Sequence, residues 1–214
     1  MVHMKLTKYS HACLVLEKNG QSLVIDPGVW SSDFVVPENV VGIVITHEHP
    51  DHCDPKKLQG IFEKNPDSVI YAHQAVVDKL DSMPTQPVES NKIIHVGDFV
   101  LEFCGGEHAV IHETWPRIAN LGVMIDDTLY YPGDSFTPPS RSVELLALPA
   151  SAPWMKLSEA MDFLVSVKPS RAFPTHDAIL SETGQSLVDT MLGDVAEQAG
   201  VSYTRIAAGD SVEV

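Results

Sequence analysis

The 214-residue chain has little positive charge: 14 lysine and arginine residues stand against 29 acidic ones, for a formal net charge of −15. A surface of that sign repels a phosphate backbone, and with no basic tract the chain is not expected to bind nucleic acid. Cysteine is scarce. Cys13, Cys53 and Cys104 are odd in number and form no CxxC pair, which fits a reducing cytosol better than a disulfide-stapled secreted scaffold. No run reaches the ~18 apolar residues of a membrane span, and Met1-Val2-His3-Met4-Lys5 lacks the apolar core of a signal peptide. A cytoplasmic protein without membrane contact is expected. Composition shifts, linkers and short repeats are missing too. Residues 1–214 therefore read as one domain, and 44% hydrophobic content is ample for its core.

What the chain does have is a dense cluster of metal-binding side chains. His47, His49, Asp51 and His52 lie within six residues. They follow Val40–Ile45, a continuous apolar, β-branched run typical of a strand buried on both faces. They precede Asp54-Pro55, a good helix start with aspartate as N-cap and proline at the first helical position.

Around the cluster the pattern alternates. Lys5–Tyr9, Ala12–Leu16 and Ser22–Ile25 read as strands, the last two joined by Asn19-Gly20, a strong hairpin signal. A helix is expected from Asp54-Pro55 to Lys64, then a strand over Ser68–Ala72 and a short helix over Gln74–Leu80. Met83–Pro87 reads as a loop. Strands are expected at Lys92–His95, Phe99–Phe103, Ala109–Ile111, Leu121–Ile125, Leu129–Tyr131 and Val143–Leu148. Gly97-Asp98, Gly105-Gly106 and Asp126-Asp127 supply turns between them. Leu157–Val167 carries an apolar stripe at helical period, and Ser186–Gln198 is a second amphipathic helix, closed by Gly200. Arg171–Pro174, Tyr203–Ala207 and Ser211–Val214 complete the strands. The order predicts two sheets packed face to face with helices outside, an αββα-like domain.

His47 and His49 are two apart just past a strand end, so both rings can share one metal, while Asp51 and His52 on the following bend can face a second. Imidazole and carboxylate suit zinc, and manganese or iron also fit. Four residues cannot close two sites. His108, Asp134 and His176 each lie where a strand is expected to leave a sheet, the usual place for functional groups. Taken singly, each could equally be a plain loop or turn residue.

In that order, His47-x-His49-x-Asp51-His52, His108, Gly133-Asp134 and His176 resemble the metallo-β-lactamase superfamily of metal-dependent hydrolases. Ile25-Asp26-Pro27-Gly28 and Asn120-x-Gly122 extend the likeness over nearly the whole chain. Ser10-His11-Ala12 and the compact length are most similar to its UlaG-like branch, which includes ascorbate-6-phosphate lactonase. The resemblance implies an α/β (α+β) fold, a four-layer αββα sandwich of two mixed sheets with outer helices. It implies two divalent ions, zinc before manganese or iron. His47, His49 and His108 would hold the first, Asp51, His52 and His176 the second, and Asp134 would bridge them. A metal-bridging hydroxide would then attack an ester or lactone of a small molecule, with Asp51 as the catalytic residue that orients it or takes its proton. A phosphodiester or thioester could be cleaved on the same centre. A non-catalytic metal-binding module is an alternative of another class, disfavoured by the intact ligand set. A redox di-iron centre is a further one, disfavoured because nothing in the chain resembles a flavin-binding partner domain and a carboxylate would be expected in place of one histidine.

Around the ligands, Asp26 could hold an imidazole or merely cap a turn. His11 could line the pocket or sit in a strand. Trp30, Trp115 and Trp154 lie on loops flanking the ligands and could contact substrate, and Arg117 could pair with an anionic substrate group. Asp177, next to His176, reads as a solvated loop residue.

Overall fold

A computed structural model describes residues 4–80 and 82–214; Met1–His3, on which the signal-peptide expectation partly rests, lie outside them. Among the described residues the elements run β1 (Lys5–Lys8), β2 (Leu14–Lys18), β3 (Gln21–Ile25), β4 (Val40–Ile45), α1 (Pro55–Lys64), β5 (Ile70–Ala72), α2 (Gln74–Val77) and β6 (Thr85–Pro87). They continue with β7 (Ile93–Val96), β8 (Phe99–Glu107), β9 (Ala119–Ile125), β10 (Leu129–Tyr131), β11 (Leu145–Pro149), α3 (Leu157–Val167), β12 (Arg171–Thr175), α4 (Glu182–Ala199), β13 (Ser202–Tyr203) and β14 (Ser211–Glu213).

Two seven-stranded sheets form, in the orders β14-β1-β2-β3-β4-β5-β6 and β13-β12-β11-β10-β9-β8-β7. Each is mixed. Strands β14 to β3 pair antiparallel and β3 to β6 parallel. The second sheet mirrors this, antiparallel from β7 to β10 and parallel from β10 to β13.

Strand alternation builds the layers. Leu14 and Leu16 of β2, Leu23 and Ile25 of β3, and Phe99, Leu101 and Phe103 of β8 point into one core between the sheets. The intervening Val15 and Val24 face outward, where Leu58 and Ile61 of α1 cover them. On the other side Leu146 and Leu148 of β11 pack under Phe163 and Leu164 of α3 and Leu192 of α4. The result is the expected αββα sandwich. No helix among the described residues is long and apolar enough to cross a membrane.

Local chemistry sets the boundaries that place the site. Asn19 and Gly20 both take positive φ (50° and 76°), the hairpin turn that matches strand twist. The Asp54 side chain accepts the Lys56 N–H and caps α1 behind Pro55. Three expectations fail outright, and the strand expected over Tyr203–Ala207 ends at Tyr203. Thr85–Pro87 is not a loop but a strand on the outer edge beside β5, where Pro87 can lack a donor. Gly105-Gly106 is not a turn, because β8 runs through it, pairing Gly105 with Leu121 and Gly106 with Asn120. Ala109–Ile111 is not a strand: the Ala109 N–H is taken by the Asp134 carbonyl, which draws the chain off the sheet at His108.

Candidate metal centre

Every residue of the expected ligand set arrives at one edge of the sandwich. His47, His49, Asp51 and His52 follow the C-terminal end of β4. His108 follows β8, Asp134 follows β10, and His176 follows β12. Carboxyl ends of parallel strands are the general location of ligand sites in such sheets.

Backbone devices fix the approach. Gly28 lies against the bend carrying Asp51, and a Cβ there would fall 1.7 Å from the Asp51 carbonyl oxygen. Gly133 has φ of 62°, and a Cβ would meet the Asn120 Oδ1 at 2.4 Å. That oxygen instead accepts the Asp134 N–H at 2.9 Å, and the Asn120 amide donates to the Pro132 carbonyl.

The carboxylate of Asp134 stands at the centre. One oxygen is 3.1 Å from His176 Nε2, 3.3 Å from His108 Nε2 and 3.9 Å from His47 Nε2. The other is 3.2 Å from His52 Nε2. His49 Nδ1 lies 3.1 Å from His47 Nε2. Asp51 Oδ2 is 3.4 Å from His176 Nε2 and 3.0 Å from His11 Nε2. The donor atoms fall into two sets, His47, His49, His108 and Asp134, and His11, Asp51, His52 and His176, each set within 4.8 Å.

The outward ring nitrogens decide which tautomer each histidine holds. His52 Nδ1 meets Asp26 Oδ2 at 2.7 Å, His176 Nδ1 the Ser151 carbonyl at 2.7 Å, and His108 Nδ1 the Ala109 carbonyl at 2.5 Å. These oxygens only accept, so each Nδ1 donates. Thr46 gives its hydroxyl hydrogen to Asp26 at 2.6 Å, so its oxygen accepts from His47 Nδ1 at 3.0 Å. In all four rings the Nε2 lone pair therefore points inward, the arrangement of metal-ligating histidine. Nε2 of His52, His108 and His176 and Oδ1 of Asp134 are buried and lack a hydrogen-bond partner. Such groups are costly unless a cation satisfies them, and this set of nitrogens and carboxylate oxygens fits divalent metal.

Electrostatics agree. Burial alone would raise the Asp134 carboxyl, but His52, His176 and His47 hold it well below the carboxylate range. Burial would lower His176, but Asp134 and Asp51 push it up to about 9. His52 is likewise raised against burial by Asp134 and Asp26. The carboxylates draw positive charge into the cluster, as protons when no ion is there; divalent ions and protons compete for these atoms.

The surrounding residues divide. Asp26, fully buried at φ of 47°, accepts from Thr46 N, Thr46 Oγ1 and His52 Nδ1, so it holds an imidazole rather than only capping a turn. Trp154 donates its indole N–H to Asp134 Oδ2 at 2.8 Å. Trp115 and Arg117 line a small recess of about 120 Å³ beside His49 and His108. Arg117 is committed to Glu107 at 2.9 Å on the surface. His11 lines a larger groove of about 760 Å³ with Trp30, whose ring packs on it edge-on at 4.8 Å. Burial lowers the His11 imidazole to about 4, against its bond to Asp51.

One expectation is overturned. Asp177 is not solvated: it is 3% exposed and paired with Lys8 and Arg205. Lys8 and Arg205, both on the groove, escaped the sequence reading. Lys8 lies in an ordinary strand and Arg205 in an irregular segment far from any ligand, so neither carries a local signal.

Comparison with known proteins agrees with this fold. The sequence pattern of the beta-lactamase superfamily domain matches residues 5–176. The Mycobacterium tuberculosis protein Rv0786c is 37% identical over 189 residues, covering 86% of this chain and 89% of that protein. Among solved structures, Igni18, a metallo hydrolase of Ignicoccus hospitalis, has a TM-score of 0.78 at 16% identity, over 99% of this chain and 98% of that one. The metallo-beta-lactamase fold protein YhfI of Bacillus subtilis has a TM-score of 0.77 at 18% identity, over all of both chains. The chain belongs to the metallo-β-lactamase superfamily of metal-dependent hydrolases.

Proposed function

We propose that the chain is a dinuclear metal-dependent hydrolase acting on the ester or lactone of a small molecule in the cytoplasm. His47, His49 and His108 would hold one ion and Asp51, His52 and His176 the other, with Asp134 serving both. Zinc is the first choice, with manganese or iron as alternatives. One observation carries the reading: inward-facing imidazole nitrogens and a carboxylate oxygen, all buried and unpartnered, behind outward nitrogens that are all tied down.

Divalent ions bound there would lower the pKa of water and polarise the oxygen of the scissile group. The chain's own residues supply the rest. Asp51 is placed to orient the attacking water or take its proton. The Ala178 N–H faces His11 Nδ1 at 3.4 Å, so the hydrogen of that ring sits on Nε2 and is given to Asp51 Oδ2. His11 thus steadies the carboxylate rather than serving as a ligand. Asp26 and Trp154 orient His52 and Asp134. The groove lined by His11 and Trp30, larger than the recess at His49 and His108, receives the substrate. The net charge of −15 favours a small-molecule substrate over nucleic acid.

The test is a panel of lactone, ester, thioester and phosphodiester substrates, with zinc and manganese supplied separately. Turnover is expected first on lactone or ester. Turnover confined to phosphodiesters would replace the substrate class, and folded protein that takes up no metal would remove the whole reading.

A further inference from the structure

Two of the residues around the second ligand set are held in a backbone conformation that side chains rarely adopt. His11 has φ of 65° and His176 φ of 58°. Left-handed residues other than glycine persist only where their surroundings over-determine them. Here they hold each other. The His176 N–H donates to the His11 carbonyl at 3.0 Å, and the rings lie 4.1 Å apart. The β1–β2 and β12–α4 connections meet at this pair.

Something must hold that junction in turn, and the next residue does so. One oxygen of Asp177 faces Lys8 Nζ at 3.7 Å, and the other takes the Arg205 guanidinium. Arg205 also grips Asp189 of α4 through Nε at 2.5 Å and a second nitrogen at 2.9 Å. Tyr203 donates its hydroxyl to Asp189 at 2.8 Å. Lys8 is 2% exposed and stands three residues before His11. Two cations and two anions close a neutral network that spans β1, the turn after His176, α4 and the segment after β13.

Buried ion networks are weak devices for stability, because desolvation offsets attraction; their best-attested use is to fix register. An apolar pair could fill the same space, but it would not set the direction of the chain at Asp177. The first ligand set is anchored elsewhere, through Thr46 and the Ala109 carbonyl.

We propose that Lys8, Asp177, Arg205 and Asp189 are positioning residues for the second ion subsite: they hold His176 in its left-handed turn, and through it His11 and Asp51. The affinity of that subsite depends on the network, and the affinity of the first does not. This rests on the two-ion reading above.

Zinc uptake by the full chain, followed by titration calorimetry and metal analysis after dialysis, tests it. Wild-type protein binds two ions. Asp177→Asn, nearly isosteric, keeps one ion at wild-type affinity and binds the other at least about tenfold more weakly, with unchanged far-ultraviolet circular dichroism. Adding His108→Ala removes the retained ion, whereas adding His52→Ala leaves that ion at wild-type affinity and abolishes only the weakened one. Lys8→Met leaves the Asp177–Arg205 pair intact and weakens the same ion by a smaller factor; if Asp177→Asn does not fold, Lys8→Met decides. Two ions at wild-type affinity in the folded variant, or equal weakening of both, overturns the proposal while leaving the two-ion reading standing. A wild-type chain that binds fewer than two ions overturns both.

Discussion

Replacing Asp26 by asparagine changes one atom and should disable one metal ligand without unfolding the protein. Asp26 is completely buried and takes three hydrogen bonds, from Thr46 N at 2.8 Å, Thr46 Oγ1 at 2.6 Å and His52 Nδ1 at 2.7 Å. Asparagine tolerates the left-handed backbone at this position. Its Oδ1 can still accept the Thr46 amide, and the Thr46 hydroxyl can turn. The new NH₂, however, faces His52 Nδ1, which must then accept. The ring hydrogen moves to Nε2, the atom 3.2 Å from Asp134, and closes the lone pair that a metal needs. Turning the amide over restores the His52 bond but leaves the Thr46 amide facing a second donor.

Loss of such an outer partner typically costs about 10–100-fold in metal affinity, or about 1.4–2.7 kcal/mol. Metal-free stability should fall by about 1–2 kcal/mol, since charge-assisted hydrogen bonds to the Asp26 carboxylate are exchanged for neutral ones. Asp26→Ala instead strands two donors that cannot rotate away, at about 1–3 kcal/mol each, and should lower metal-free stability by about 2–6 kcal/mol. Calorimetric zinc titration reads the affinity, urea melts read the stability, and nitrogen–proton correlation spectra of the imidazoles read the tautomer. Asp26→Asn with wild-type affinity for both ions and the His52 hydrogen still on Nδ1 would refute the reasoning.

Three other outcomes are expected. Asp134→Ala should lose both ions and all turnover, because its carboxylate stands between the two groups of ligands, one oxygen beside His108 and His176 and the other beside His52; turnover within about tenfold of wild type would reject the bridging role. Chelation should lower the melting temperature. Ions at a hundred times their dissociation constant stabilise by about 2.7 kcal/mol per site, which at about 2–4 °C per kcal/mol for a chain of this size is roughly 5–10 °C per site. An unchanged melting temperature would count against both sites. Metal-free protein should also lose stability as pH rises. His176 titrates at about 9 in the folded chain, against 6.5 ordinarily, and His52 is raised as well. The His176 contribution is whole below about 6.5 and disappears through about 9, and that of His52 is likewise lost as pH rises. Melting temperatures of chelated protein that rise across that window would contradict the assignment.

Much of the scaffold was legible because its signals are local. The apolar run of β4, the Asp54-Pro55 start of α1 and the Asn19-Gly20 turn each act over a few residues, and each appears where expected. The same locality explains the failures. Gly105-Gly106 looks like a turn, yet pairing with β9 keeps it in β8. Nothing near Ala109 announces that Asp134 will take its N–H. His108, Asp134 and His176 were ambiguous one by one, and only their order suggested a set. Asp177 was misread because its partners, Lys8 and Arg205, lie 169 residues before and 28 residues after it. A buried charge network closed over such distances leaves no periodicity behind.

The mirrored arrangement of the two sheets has a mechanical consequence. His47, His49, Asp51 and His52 hang from the first sheet, while His108, Asp134 and His176 hang from the second. The core between the layers is made of apolar side chains, which resist separation but resist sliding less, since no contact there is directional. Ions seated at the seam would act as rivets through both plates. Shear of one sheet past the other would have to stretch directional bonds at that edge. Loading with metal would then stiffen the whole sandwich, and hydrogen exchange would slow in β10 and β12 as much as in β4, far beyond the residues that touch an ion.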